Sequence, residues 1–141
     1  MHIVHNSFRA GISETKWEVE HTLTCLNWLF KDAPARGEDF SSVTSSSLFP
    51  LKFCGHRWLE NVPAAERALH MWPKVKECVV AAQSKRIKDP KNKCFRVVAA
   101  SVENPLFIPQ LHIFLSIAKG ITPFLTKYQT DALRYRSSAL T

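Results

Sequence analysis

Ten residues near the middle of the chain, Cys54 to Pro63 (CGHRWLENVP), set a thiol, an imidazole, a guanidinium and an indole almost side by side. Such groups can hold zinc, attack as a thiolate beside a base, fork onto phosphate oxygens or stack on a nucleobase. Zinc needs four ligands, and structural sites take them from two close Cys/His pairs. Cys54 and His56 are one residue apart with no second pair to complete a tetrahedron, and His2 and His5 stand far from any cysteine. No metal ligand is expected. Cys54 with His56, or Cys25 with His21, pairs a thiol with an imidazole, but neither has a Gly-rich elbow or a third orienting group in its sequence neighbourhood. The chain also contains no P-loop, GxGxxG, HExxH or GxSxG pattern, so no catalytic residue is expected. Arg57-Trp58 keeps two readings: a nucleic-acid contact, or a core tryptophan beside an arginine that reaches solvent.

The charge is lopsided. Residues 1–70 hold seven Lys/Arg and eight Asp/Glu, a balance of −1, whereas residues 71–141 hold twelve and four, a balance of +8. Most of the excess lies in residues 74–96 (KVKECVVAAQSKRIKDPKNKCFR), with eight basic and two acidic side chains. Lys85, Arg86, Lys88, Lys91 and Lys93 form its densest part. Such a run attracts phosphate polymers in a salt-dependent way, or else is a solvated connection between helices.

The elements that must position these residues are mostly helical. At 141 residues and 45% hydrophobic composition, the chain is expected to form one globular domain. Val19, Leu23, Leu26 and Phe30 share a helical face, and Thr15 with Glu18 reads as a capping box at its start. Gly11 suits the end of an earlier short helix carrying Val4 and Phe8. Pro34, Gly37, the Ser/Thr cluster at 41–47 and Pro50 make residues 31–56 an expected irregular connection, with LFPLKFC as a short edge strand. Asn61 reads as an N-cap, followed by a face of Val62, Ala65, Leu69 and Trp72. Pro73 should bend or break that helix before Val75, Val79 and Ala82 continue it. KCFRVVAASVE fits a helix or a strand. Asn104-Pro105 signals a last helix with a stripe of Leu111, Phe114, Ala118, Ile121 and Leu125, kinked around Gly120 and Pro123. There are no internal repeats. No run is long enough to span a bilayer, and no secretory signal is visible. The four scattered cysteines read as reduced thiols, which implies an intracellular chain with no membrane partner.

The order HIVHNSF, then FPLKFCGHRWLENVPAAERALHMWPKV, then PLFIPQLHIFLSIAKGITPFLTKYQTDA resembles the middle of a hAT-superfamily transposase, a transposable-element-derived family. In that family a C-x-x-H motif precedes an RW motif within an RNase H-like domain, and a helical insertion follows. The resemblance implies a mainly α chain: a partial RNase H-like (α/β) segment over residues 1–60 leading into a helical insertion-like region over residues 61–141. His2 would match the histidine of C-x-x-H, whose cysteine would lie upstream of Met1, and Arg57-Trp58 would match RW. Family catalysis uses three acids holding two divalent metals such as Mg²⁺, and the RW tryptophan stacks on a flipped base. Matching assigns none of this chain's acids to that triad.

The resemblance therefore implies a non-catalytic, cofactor-free remnant, nuclear in location, with weak and nonspecific DNA affinity. Arg57, Trp58, Lys85, Arg86, Lys88, Lys91 and Lys93 are its candidate contacts. The apolar faces at 15–30 and 105–128 should pair with each other or remain exposed and promote self-association. The alternative is a helical protein–protein interaction module with no nucleic-acid role.

Overall fold

Val19, Leu23 and Leu26 are buried on one face of helix α1 (Val19–Phe30), as their spacing predicts, and Thr22, Cys25 and Leu29 widen that face. The structure, a computed structural model, describes residues 6–7, 10–11, 14–53 and 58–140. Of the expected earlier helix, Val4 and Phe8 lie outside them, while residues 6–7 and 10–11 are helical. Among the described residues, four further helices follow α1: α2 (Pro34–Thr44), α3 (Trp58–Gln83), α4 (Lys93–Glu103) and α5 (Phe107–Leu140). The chain is mainly α, and no strand occurs among the described residues. None of the helices is long and apolar enough to cross a membrane.

Several local expectations are corrected. Lys16 adopts φ 56, a left-handed conformation that interrupts helical backbone, so α1 starts at Val19 and not at a Thr15 cap. Thr15 Oγ1 instead accepts from the Trp17 amide at 3.3 Å, and Glu18 pairs with His21 Nδ1 at 3.0 Å.

Residues 34–44, expected to be irregular, are helical. Pro34 occupies the first turn, where its missing N–H costs nothing. Phe40 is fully buried against Phe30 and Phe49, with ring centroids 5.2 and 5.7 Å away. Thr44 Oγ1 donates to Phe40 O at 2.7 Å, and Ser45 then ends the helix at φ 56. The expected edge strand is instead an irregular strap over residues 46–53. Phe53 is buried in the core, and Arg67 Nη1 ties the strap to α3 by donating to Phe49 O at 2.9 Å.

Asn61 is no N-cap: α3 already runs from Trp58, and Asn61 is buried inside it. The helix also continues through Pro73, because Met71, Trp72, Val75 and Val79 bury on both sides of it. The ambiguous segment is helix α4, capped by Asn92, whose side chain accepts from the Phe95 amide at 2.7 Å.

The helix pairing also differs from expectation. α1 packs chiefly on α4, and α5 chiefly on α3. Thr22 and Ser101 share a buried hydroxyl–hydroxyl hydrogen bond of 2.7 Å, and Cys25 contacts Cys94, so α1 and α4 run antiparallel. One hydrophobic cluster joins Val19, Phe40 and Phe53 with Trp72, Val98 and Phe114, so residues on either side of position 60 share a core. Helix α5 buries Phe107, Leu111, Phe114, Leu115 and Ala118; beyond them Phe124, Leu133 and Tyr135 are exposed.

Candidate nucleic-acid interface

Helix α3 ends with a hydrogen-bond pattern that normally calls for glycine. Arg86 N–H donates to Ala81 O at 2.8 Å and Lys85 N–H to Ala82 O at 3.2 Å, the paired bonds of a Schellman cap. The residue in the left-handed position is Lys85, with φ 62. A side chain there costs about 1 kcal/mol relative to glycine. Lys91, six residues on, also sits at positive φ, 51. Between them Asp89 Oδ1 accepts from the Lys91 amide at 2.8 Å, so the acid of this loop is committed to holding the turn.

The connection over 84–92 is therefore fixed rather than merely solvated. Ile87 is half-buried against the core and Pro90 lines a cavity of about 30 Å³ with Leu26, Leu29 and Phe95, room for one or two waters. Lys85, Arg86, Lys88, Lys91 and Lys93 point outward and are exposed. None forms an ion pair with a described residue. Lys93 opens helix α4, where the backbone dipole already presents positive charge. Five cations without an ion pair to any described residue, on a pinned loop beside a helix N-terminus, make a surface of strongly positive potential.

The remaining sequence candidates fall elsewhere. His2, Cys54, His56 and Arg57 lie outside the described residues. Trp58 begins α3, whose 26 residues span roughly 40 Å, so its backbone stands at the opposite end of that helix from the basic loop. The structure thus gathers the five loop residues and separates Trp58 from them. Among the described residues, no three His, Cys, Asp or Glu converge as a metal site would require.

Sequence reasoning does not single out Trp28. It is 56% exposed on α1, with Lys31 Nζ 4.4 Å above its ring. Its position off the apolar stripe is the one signal that sets it apart. A groove of about 430 Å³ runs between α1 and α4, with Glu18 and His21 on one bank and Lys93 and Arg96 on the other.

Cys25 and Cys78 are poor nucleophiles at neutral pH. Burial, then the hydrogen bond to Cys94, raises Cys25 from 9.0 to about 11; burial, then the charge of Asp39, raises Cys78 to about 11. Because the folded value exceeds the unfolded one, the stabilisation linked to Cys25 is complete below pH 9.0 and is lost as pH rises toward 11. Alkylation of Cys25, followed by mass spectrometry, is expected to titrate with a midpoint near 11 in the folded chain and near 9.0 in denaturant. Equal midpoints in both states would contradict the burial assigned to this thiol.

No family model, no curated protein and no solved structure matches this chain.

Proposed function

We propose that this chain binds nucleic-acid backbones weakly and without sequence preference, through Lys85, Arg86, Lys88, Lys91 and Lys93. The observation that carries the reading is the pinned basic loop: five exposed cations that no described acid neutralises. Two of them occupy left-handed backbone positions where a lysine costs stability. Surface charge of this density holds phosphates by releasing their counterions, which requires no base contact and no chemistry.

The origin we assign is a hAT-type transposase, in which residues 1–60 derive from the RNase H-like segment and residues 61–141 from the helical insertion. The order of HIVHNSF, CGHRWLENVP and PLFIPQLHIF supports that descent. In this reading the chain works as a binding module, in the nucleus, without enzymatic activity or a cofactor.

Titrating a labelled duplex at two or more salt concentrations tests the binding. Log affinity should fall linearly with log salt, with a slope of about −0.9 for each phosphate contacted. Absence of binding at low salt, or affinity indifferent to salt, would sink the proposal.

A further inference from the structure

We infer that Trp28 is a stacking platform for an unpaired base, so that the preferred ligand of the basic loop is a single-stranded nucleic acid. This rests on the backbone-binding reading above and names its substrate class. An indole more than half exposed is unusual, because tryptophan is among the most buried residues on average. Trp28 has no place on the core face of α1, which Val19, Leu23, Leu26 and Leu29 supply.

Helical register puts residue 28 level with the basic loop. Cys25, one turn before it, touches Cys94 and feels the charge of Lys93. Leu29, the next residue, shares a cavity lining with Lys88 and Pro90. Trp28 therefore lies level with residues 88–93. His21 is seven positions earlier, on the same edge of the helix, and faces Lys93 and Arg96 across the groove. On α1 the groove's lining ends at His21, and Trp28 continues the same edge of the helix two turns beyond it.

Lys31 covers one face of the indole at 4.4 Å and brings a sixth cation to the same end of the bundle. A base can stack on the open face while Lys31, Lys91 and Lys93 hold the flanking phosphates. In a duplex the base faces are already stacked on each other, so a single indole on a helix surface has nothing to bind there. An unpaired strand offers every base face, and stacking on an aromatic is indifferent to sequence.

The test uses the full chain with Trp28→Ala and Trp28→Phe variants. Binding to a labelled thymidine oligomer of about 16 nucleotides, near the upper site size of single-strand binders, is compared with a duplex of equal length at one low salt concentration. Trp28→Ala should weaken single-strand binding roughly tenfold or more, Trp28→Phe should retain most of it, and duplex affinity should stay within about twofold. Unchanged single-strand affinity in Trp28→Ala, or an equal loss on both ligands, overturns the inference while leaving the basic loop as the binding surface. If the wild-type chain binds neither ligand, the backbone-binding reading fails and this inference falls with it. Thermal melting of each variant, expected to match wild type because position 28 is exposed, shows that any loss belongs to the surface.

Discussion

Replacing Phe107 by alanine is expected to lower the unfolding free energy by about 3–5 kcal/mol, a large share of what a domain of this size has. Phe107 is 1% exposed, and its ring stacks on Trp72 at 4.5 Å between centroids and 27° between planes. That contact joins the first turn of α5 to the middle of α3, so truncation opens a cavity where the two helices meet. Neither neighbour can close it cheaply, because Trp72 and Leu111 are themselves buried and packed on other residues. Urea denaturation measures the effect as a lower midpoint at unchanged m. Phe124 on the same helix is 59% exposed, and its alanine variant should change stability by less than about 0.5 kcal/mol. Similar losses at both positions would contradict the placement of the core.

The largest effect on binding is expected from replacing Arg86, Lys88 and Lys93 together by glutamate. All three are exposed, and none forms an ion pair with a described residue, so the fold should tolerate the change. Glutamate at position 93 even improves the match to the α4 dipole, since an acid in the first turn is favourable. The formal charge falls by six from the present +7. Each lost phosphate contact removes about 0.9 from the salt slope, and the new carboxylates repel the backbone as well. Duplex affinity at low salt should drop by roughly a hundredfold or more, with a slope shallower by about three. A variant that binds as tightly as wild type would place the interface elsewhere on the molecule. Stability and binding should move independently here, which separates this variant from the core truncation.

How far these features are legible in the sequence depends on whether each is set locally. The face of α1 follows from the spacing of Val19, Leu23 and Leu26, and the basic loop from residue type alone. Asn92 is a visible cap for α4, yet Val97 and Val98 suit a strand equally well until Ser101 meets Thr22 across the core. Helix α2 is hidden for a different reason. Its Ser/Thr content favours a loop, and only the burial of Phe40 between Phe30 and Phe49 makes helix the better state, a tertiary effect that propensity does not contain. The exposure of Trp28 has one faint sign in the sequence, its place off the stripe of Val19, Leu23 and Leu26. Tryptophan normally reports a core, and the packing of α1 on α4 establishes which edge of the helix stays open.

Helix α5 joins two thermodynamically different stretches in one continuous element. Its first twelve residues are held by Phe107, Leu111, Phe114 and Ala118, and Lys119 adds an ion pair of 2.7 Å to Glu66 of α3. The following turns bury little: Thr126, Lys127 and residues 130–136 are all exposed. A free peptide of that length would rarely be helical, because its first turn must be nucleated against a factor of about 10⁻³. Here the anchored turns supply the nucleus, and the distal turns only propagate from it. Propagation adds roughly one hydrogen bond per residue fixed, so helix beyond the anchored turns forms and melts stepwise while the bundle below remains folded. The core thus acts as a template for the arm, and the length of helix beyond residue 119 is set by solvent, temperature and anything that comes to lie along it.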